Sequence, residues 1–322
     1  MRRFLLGCLL AAPLSFAVAG QDNSDESWAL LEKAARAAHE LSYKGIFVYQ
    51  SGPNTKSVQI THMNYGQGEY ARIVMLDGSP REVLSQGNDV VIYSPRHEKV
   101  VIEKRRRQNL FPALLPTNLD AIKASYQVRL GDFQRVGGRE GQVVFLDPRD
   151  RYRYGYKFWT DRENGLLLKA MTTNEHNDTL DQISFIQITL MNTQAMDWFQ
   201  PNVEHDKPYV MEEQQARLAT TAISDEWILA QLPPGFHKVA QVKRMVPGKS
   251  MPVNQLMFCD GLASVSLFIE QLSKEAHGKT GRSSQGPTNF YSNVVDGYQI
   301  VVVGEVPEAT ISQIANAVSF KK

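Results

Sequence analysis

Hydrophobic and polar positions follow different patterns in successive parts of the chain. From residue 24 to 43, apolar residues recur every three to four positions, which predicts one amphipathic helix beginning near Ser24 or Ser27. Short runs rich in β-branched and aromatic residues then follow one another from 45 to 103, separated by turn sequences rich in Gly, Pro, Asn and Asp. Connections this short favour antiparallel neighbours, so the sequence predicts a long antiparallel meander.

The strand pattern is interrupted twice. Residues 104–118 combine a basic cluster with apolar residues and two prolines; a functional loop and a surface loop that tucks its leucines against the sheet both fit this composition. A short helix over 119–126 and further strands are predicted next. From 198 to 220 the sequence is polar and contains Pro201 and Pro208, which favours a linker.

These interruptions divide the chain into parts of different fold. We predict a leader over 1–19, a large domain over 24–200, a linker over 201–221 and a small domain over 222–322. The small domain combines short strands with one final helix, so the fold class is α+β. The apolar face of that final helix is predicted from four residues at helical spacing: Ile311, Ile314, Ala315 and Val318.

The N-terminus has the composition of a secretory signal. Arg2 and Arg3 precede an apolar stretch, and Ala17-Val18-Ala19 matches a small-residue cleavage site, so we predict cleavage after Ala19 and export.

Cys259 is then the one cysteine left, which excludes an intramolecular disulfide and leaves a buried thiol or a reactive one. No later run approaches 18 apolar residues, so no membrane-spanning segment is predicted.

Motifs for catalysis and metal binding are absent from the sequence. Neither H-E-x-x-H nor G-x-S-x-G occurs, and the "GKS" and "GKT" sequences at 248–250 and 278–280 lack the upstream glycine of a P-loop. The seven histidines are widely spaced, without a ligand pattern. A formal net charge of +1 also argues against a dedicated nucleic-acid binder. We therefore predict a protein that is not an enzyme and has no cofactor, no metal and no nucleic-acid partner.

Arginines and tyrosines alternate in the stretch "RDRYRYGYKFWTDRENGLLLK", residues 149–169. In an extended strand, alternation with a period of two places Tyr152, Tyr154, Tyr156 and Phe158 on one face and Arg151, Arg153, Lys157 and Trp159 on the other. "DRENG" then predicts a turn, with Gly165 suited to a positive φ, and "LLLKA" predicts the partner strand. The tyrosine face fits a core or a lipid-lined concavity, and the basic face fits either solvent or phosphate.

Seven segments follow one another along the chain: "YKGIFVYQ", "MLDGSPREVLSQGNDVVIY", "DRYRYGYKFWTDRENGLLLKA", "ISFIQITL", "WILAQLPPGF", "CDGLASVSLFIE" and "VVVGEVP". The first four resemble the large domain of the RseB/MucB family, and the last three resemble its small domain. The resemblance runs in order from about residue 24 to 320. It implies that the large domain is a curved, unclosed antiparallel barrel around helices, like the lipoprotein carriers LolA and LolB.

The resemblance also implies a function. Family members are periplasmic negative regulators of a sigma-E-type envelope-stress response, and they bind the periplasmic part of an RseA/MucA-like membrane anti-sigma factor. By masking it they prevent site-1 proteolysis, and lipid, lipopolysaccharide or a mislocalised lipoprotein is thought to trigger release. The protein would then be peripheral to the membrane only through its partner. Homo-oligomerisation is left open by the sequence.

Two sets of residues are candidates for these contacts. Candidates for contact with lipid or its phosphates are apolar, aromatic and basic residues of the large domain: Phe47, Tyr49, Arg105, Arg106, Arg107, Phe111, Leu114, Leu115, Arg151, Tyr152, Arg153, Tyr154 and Tyr156. Candidates for contact with the anti-sigma factor are Trp227, Phe236, Lys243 and Arg244. The alternative function, which the fold resemblance also permits, is a periplasmic lipid or lipoprotein carrier.

Overall fold

The described part of the chain contains many short strands and three helices. The computed structural model describes residues 21–66, 68–87, 89–94, 99–104, 110–192, 195–201, 210–214, 227–229, 231–244, 252–273 and 277–320. The predicted signal and the basic cluster Arg105–Arg107 lie outside the described residues. The helices are α1 (Gln21–Glu40), α2 (Asp120–Ser125) and α3 (Glu308–Ala317).

Twelve strands form one large sheet. The first six are β1 (Tyr43–Ser51), β2 (Asn54–Tyr65), β3 (Gly68–Met75), β4 (Glu82–Gln86), β5 (Asp89–Ser94) and β6 (Lys99–Lys104). The next five are β7 (Tyr126–Val136), β8 (Arg139–Pro148), β9 (Gly155–Asp161), β10 (Leu167–Thr173) and β11 (Thr179–Leu190), and the last is β12 (Val210–Gln214). Their spatial order is β12-β6-β5-β4-β3-β2-β1-β11-β10-β9-β8-β7.

Two antiparallel meanders are joined in this sheet, one on each side of the predicted interruption at 104–118. Strand β1 pairs with β2 on one side and with β11 on the other, so the first and last strands of the predicted series are neighbours. Strand β12, from within the predicted linker, pairs with β6 in parallel. The sequence prediction missed both pairings because turn lengths report only on neighbours along the chain. In the described residues the edge strands β7 and β12 do not pair with each other, so the sheet is unclosed.

Helix α1 and the sheet share one apolar core. The apolar stripe of α1 includes Leu31, Ala35 and Ala38, and it is fully buried among strand residues such as Val144 and Phe158. This burial confirms the predicted amphipathic helix, because residues spaced by three to four positions lie on one helical face. We call the elements from α1 to β12 the large domain.

The small domain has its own core. Strands β13 (Trp227–Leu229) and β20 (Val318–Phe320) form a short pair; β14 (His237–Arg244), β15 (Val253–Cys259), β16 (Ser264–Gln271), β17 (Gly281–Gln285), β18 (Thr288–Val295) and β19 (Tyr298–Gly304) form a six-stranded sheet. Ile311, Ile314 and Ala315 of α3 are buried against it, which confirms three of the four residues predicted for the face of the final helix. Val318, predicted on the same face, is instead the first residue of β20, because α3 ends at Ala317. Two separate cores define two domains of a mostly β protein.

The β9–β10 hairpin has the turn that the sequence predicts. Gly165 has a φ of 85°, a conformation that favours glycine. Asp161 stabilises the same turn, since its Oδ1 accepts hydrogen bonds from the backbone N–H groups of Glu163 and Asn164 at 2.9 and 3.2 Å. This hairpin fixes the position of the segment that precedes β9, which is where the two domains meet.

Candidate functional site at the domain interface

The apolar lipid candidates lie inside the large domain. Phe47 packs against Phe111 with ring centroids 5.2 Å apart, and both rings contact Phe185. Phe111 is 4% exposed and Leu115 is 2% exposed, while Leu114 packs against the same core from a half-buried position. The end of the predicted loop therefore fills the interior of the sheet, as the interpretation that its leucines tuck against the sheet expects.

Tyr49 lies further along β1 in a polar part of the interior. Its hydroxyl donates a hydrogen bond to Oδ2 of Asp181 on β11 at 3.1 Å. Burial and the charge of Asp181 raise the pKa of Tyr49 to about 12, so the phenol is neutral at physiological pH. Burial also raises the pKa of Asp181, although hydrogen bonds from Thr172 and Tyr49 oppose this shift. This pair gives the apolar interior a polar end.

Residues 149–154 form a turn between β8 and β9 rather than the start of a strand. The predicted strand was too long here, because Asp150 turns the chain: its Oδ1 accepts a hydrogen bond from the N–H of Tyr152 at 2.9 Å. The alternation of faces consequently begins only at Gly155, where β9 begins. Arg151 is exposed, whereas Arg153 is only 4% exposed, so the two arginines do not share one solvated face.

Arg153 joins the two domains. Its Nε donates to Oδ2 of Asp260 in the small domain at 2.9 Å, and its Nη2 donates to the carbonyl oxygen of Pro234, also in the small domain. Its Nη1 donates to Oδ2 of Asp150 in its own turn. The guanidinium carbon lies 5.4 Å from the ring centre of Phe236, a distance typical of a cation–π contact. Arg153, a candidate for contact with lipid, therefore contacts Phe236, a candidate for contact with the anti-sigma factor.

The neighbouring tyrosines extend this interface. The hydroxyl of Tyr154 accepts a hydrogen bond from Nδ2 of Asn289 in β18 at 2.9 Å. The carbonyl oxygen of Tyr152 accepts one from Oγ1 of Thr310 in α3 at 2.6 Å. Leu262, from the small domain, packs against the core of the large domain. Together with the two parts that bind Arg153, four separate parts of the small domain converge on the 150–154 turn.

Strand β9 shows the predicted alternation beyond Gly155. Tyr156 stacks on Phe158 with centroids 5.8 Å apart, on the inner face. On the other face, Nζ of Lys157 lies 5.3 Å from the ring centre of Phe145, and Trp159 lies under Nζ of Lys169 at 4.7 Å. Burial, together with the nearby charge of Lys157, lowers the pKa of Lys169. The tyrosine face is therefore a core face, and the other face is basic and aromatic.

The remaining anti-sigma candidates do not lie together at the interface. Trp227 is half-buried and packs edge-on against Tyr298, with centroids 4.9 Å apart. Lys243 is exposed on β14, and Arg244 is the last residue of that strand. Only Phe236, 6% exposed, belongs to the contact with the large domain. The four residues thus mark at least two places on the small domain.

The residues that contact the 150–154 turn from the small domain were not predicted from the sequence. Asp260, Asn289 and Thr310 carry no motif, and Asp260 is separated from Arg153 by 107 positions. "CDG" at 259–261 is a turn signal, and it does form the turn between β15 and β16, but a turn signal does not identify what the turn contacts. Sequence spacing therefore had no means of finding this interface.

Two further observations concern chemistry in the described part of the chain. It holds no group of three or more His, Cys, Asp or Glu side chains arranged to bind a metal ion. None of its helices has both the length and the apolar character needed to cross a bilayer. What the geometry does provide is a buried, polar contact between two β domains.

Fold and interface together define a class of two-domain β protein, in which a large unclosed sheet contacts a small sheet domain and the 150–154 turn makes several of the contacts. Within that class the chain belongs to the MucB/RseB family. The family model described as "MucB/RseB N-terminal domain" matches residues 26–203, and the family model described as "MucB/RseB C-terminal domain" matches residues 221–319.

Several relatives match nearly the whole chain. "Sigma factor AlgU regulatory protein MucB" of Pseudomonas aeruginosa is 33% identical over 316 residues, which cover 97% of this chain and 94% of the relative. "Sigma-E factor regulatory protein RseB" of Haemophilus influenzae is 26% identical over 293 residues, covering 90% of both chains. The RseB of Escherichia coli K12 is 24% identical over 295 residues, covering 91% of both.

Solved structures match over both domains as well. "Crystal structure of MucB in complex with MucA(peri)" covers 92% of this chain and 99% of its own, at 28% identity and a TM-score of 0.73. The Pseudomonas aeruginosa MucA/MucB complex also covers 92% and 99%, at 29% identity and a TM-score of 0.74. "Crystal structure of MucB" covers 94% and 99%, at 25% identity and a TM-score of 0.64.

Proposed function

We propose that this protein is a periplasmic negative regulator that binds the periplasmic part of a membrane anti-sigma factor and shields it from site-1 proteolysis. The observation that carries the proposal is the match of both domains to MucB, whose structure was solved with MucA(peri). Because the match extends over the whole relative, a surface that binds such a partner has its counterpart here whichever domain provides it. The predicted signal over 1–19 supports a periplasmic location for this activity.

Two candidate residues on the small domain are accessible to a partner. Lys243 is exposed, and Trp227 is half-buried at the edge of the small core. Aromatic residues within a polar, solvent-accessible rim are typical of binding surfaces. Phe236 differs from both, since Arg153 already covers its ring. We therefore propose that Trp227 and Lys243 contact the anti-sigma segment, and that Phe236 acts through the domain interface.

Lipid sensing is the second part of the proposal. An acyl chain that enters the large domain has to displace the segment that carries Phe111 and Leu115, because these side chains fill the interior next to Phe47. Removing a buried Phe costs about 3–5 kcal/mol and removing a buried Leu about 2–5 kcal/mol, so displacing both side chains costs about 5–10 kcal/mol. Each buried methylene contributes about 0.8 kcal/mol, so roughly six to twelve methylenes offset the loss. Fatty acyl chains exceed this length, whereas short amphiphiles do not.

Release follows if lipid and partner favour different arrangements of the two domains. Over the whole chain, the similarity to MucB with MucA(peri), at TM-scores of 0.73 and 0.74, is higher than the similarity to MucB alone, at 0.64. We propose that the contact described here is the partner-binding arrangement and that lipid favours another. Each ligand then weakens the other by the same factor.

The test is a protease challenge with purified components. The mature protein, a soluble fragment comprising the periplasmic segment of the anti-sigma factor and the site-1 protease are combined, and the cleavage rate is measured with and without this protein. We expect slower cleavage in its presence. Lys243→Glu is expected to reduce both co-purification and shielding, whereas Lys238→Glu, an exposed lysine of the same strand, leaves both unchanged.

Cleavage at the same rate with and without the protein contradicts the regulatory function. If labelled acyl chains still bind and transfer to a second membrane in that case, the carrier function is favoured instead. Binding without shielding separates the two halves of the proposal, since the protein would then hold its partner without masking the cleaved bond.

A further inference from the structure

The ion pair between Arg153 and Asp260 is buried between two domains. Its side chains are 1% and 0% exposed, so water does not reach the pair while the domains are docked. A guanidinium has five N–H donors in a fixed planar fork, and here three of its nitrogens bond to three different acceptors. Two acceptors belong to the small domain and one to the large domain. Arg153 therefore makes all three hydrogen bonds only when the two domains have this relative position.

Both carboxylates are positioned by their own turns before they meet the arginine. Asp260 Oδ1 accepts hydrogen bonds from the N–H groups of Leu262 and Ala263 at 3.0 and 2.8 Å, which leaves Oδ2 for Arg153. Asp150 is held in the same way, with Oδ1 bonded to the N–H of Tyr152 and Oδ2 to Arg153. Such preorganisation lowers the entropy that is lost when the contact forms.

The same arrangement makes the contact reversible. When the domains separate, Arg153 keeps Asp150, which lies on its own side of the interface, and Asp260 keeps its turn N–H groups and gains water. Neither charge is left buried without a partner, which is the condition that makes breaking a buried ion pair so unfavourable. A continuous apolar interface of equal size has no comparable compensation, because separation exposes its surface to water.

We propose that residues 150–154 act as a latch that holds the two domains in the partner-binding arrangement, and that Arg153 sets the equilibrium between docked and separated states. The latch comprises the contacts of Arg153 with Asp260 and Pro234, of Tyr154 with Asn289, and of the Tyr152 carbonyl with Thr310. Its position in the interface is independent of the proposed function, whereas its effect on partner affinity rests on that function.

The first arm of the test measures docking without any partner. Small-angle X-ray scattering on the mature protein gives the radius of gyration of the wild type, Arg153→Ala and Arg153→Lys. We expect a larger radius of gyration for Arg153→Ala and an intermediate one for Arg153→Lys, because lysine keeps the positive charge but lacks the planar guanidinium that donates to three acceptors at once. The matched control is Arg162→Ala, which breaks an exposed ion pair with Glu140 (2.7 Å) in the same domain and leaves the radius unchanged.

A second variant excludes simple misfolding as the cause. Asp260→Asn retains Oδ1 for the hydrogen bonds of its own turn and removes the charge that faces Arg153. Circular dichroism establishes that each variant is folded. If Arg153 and Asp260 act through each other, the double variant Arg153→Ala/Asp260→Asn has a radius of gyration no larger than that of Arg153→Ala alone. Folded Arg153→Ala and Asp260→Asn variants with the wild-type radius overturn the latch.

The second arm measures affinity for the anti-sigma fragment by isothermal titration. If Arg153→Ala reduces the docked fraction from near one to about one tenth, the apparent affinity falls about tenfold. A larger radius with unchanged affinity overturns the claim that the docked state binds the partner, while the latch stands. Failure of the wild-type protein to bind the fragment contradicts the proposed function instead, and the scattering result still decides the latch.

Discussion

Phe111 shows how one residue can be both a core residue and a candidate ligand contact. Its ring packs within 5.2 Å of Phe47 and 4.9 Å of Phe185, centroid to centroid, and it is 4% exposed. The neighbouring Leu110 is 48% exposed. Adjacent positions thus differ in burial although both are apolar, and this difference can be tested directly.

We expect Phe111→Ala to lower the free energy of unfolding by about 3–5 kcal/mol, because it leaves a cavity in the aromatic cluster. Leu110→Ala is the matched control and should change it by less than about 0.5 kcal/mol, since an exposed side chain makes few buried contacts. Urea denaturation followed by fluorescence measures both. Equal effects of the two substitutions would show that Phe111 is not part of the packed core.

Glu69 is held between two histidines where helix α1 meets strands β2 and β3. Its carboxylate accepts from His62 Nε2 at 3.0 Å and from His39 Nδ1 at 3.1 Å. His62 is also fixed on its other side, where Nδ1 lies 2.8 Å from the carbonyl oxygen of Leu41, and it stacks on Tyr43. Burial alone would raise the pKa of Glu69, but the hydrogen bonds and charges of both histidines hold it well below 4.5.

A depressed carboxyl pKa contributes stability above the unfolded value, and this contribution disappears as pH falls toward the folded value. The wild-type protein should therefore lose stability as pH drops below about 4.5. We expect Glu69→Gln to lower the free energy of unfolding by about 1 kcal/mol at pH 7, a figure that is discounted because Glu69 is partly exposed. The free energy of unfolding of this variant should also decline less than that of the wild type as the pH becomes acidic. Denaturation at pH 7, 5 and 4 measures this, with the exposed Glu175→Gln as control. Parallel declines for wild type and Glu69→Gln would contradict it.

The turn before β14 is the element that closes over Arg153. Gly235 has a φ of 78°, and a Cβ added there would lie 2.5 Å from Arg153 Nη2 and 2.9 Å from Ser125 Oγ. Gly297, in the turn between β18 and β19, has a φ of 81° and nothing within 4 Å of such a Cβ. The two positions therefore share a backbone conformation that disfavours alanine and differ in what the methyl group meets.

We expect both Gly235→Ala and Gly297→Ala to destabilise the protein by about 1 kcal/mol through backbone strain. Only Gly235→Ala should also separate the domains, because its methyl group displaces the guanidinium from Asp260 and Pro234. Small-angle scattering distinguishes the two variants. A similar radius of gyration for both would show that the fit of Gly235 against Arg153 does not control docking.

Local elements were predictable from the sequence where their signals are local. The presence of α1, α2, α3 and the Gly165 turn was predicted, since periodicity and turn chemistry act within a few residues. Their ends were less accurate: α1 begins at Gln21 rather than near Ser24 or Ser27, and α3 ends before Val318. The β1–β11 pairing and the Arg153–Asp260 contact were not predictable, because each joins residues more than a hundred positions apart. Burial of Arg153 also runs against the usual exposure of arginine, so composition pointed away from it.

At the scale of the whole molecule, two cores meet through a mainly polar contact. Interfaces of this kind resemble transient protein–protein contacts, so a shift between two arrangements is the physical expectation for the chain. The 150–154 turn belongs to the connection between β8 and β9, and these strands enclose the apolar interior. A ligand that disturbs this interior therefore acts on the same strands that carry the latch.

This connection predicts reciprocal effects of lipid and anti-sigma fragment on binding to the wild-type protein. If a saturating long-chain amphiphile weakens fragment binding by a given factor, a saturating fragment must weaken amphiphile binding by the same factor. Typical coupling between two ligand sites changes the affinity at each site by about 5–150-fold. Titration calorimetry in both orders measures the two factors. An amphiphile with too few methylenes to displace Phe111 is the control and should leave fragment affinity unchanged. Unequal factors would mean that the two ligands compete through aggregation or another species rather than through the domain arrangement.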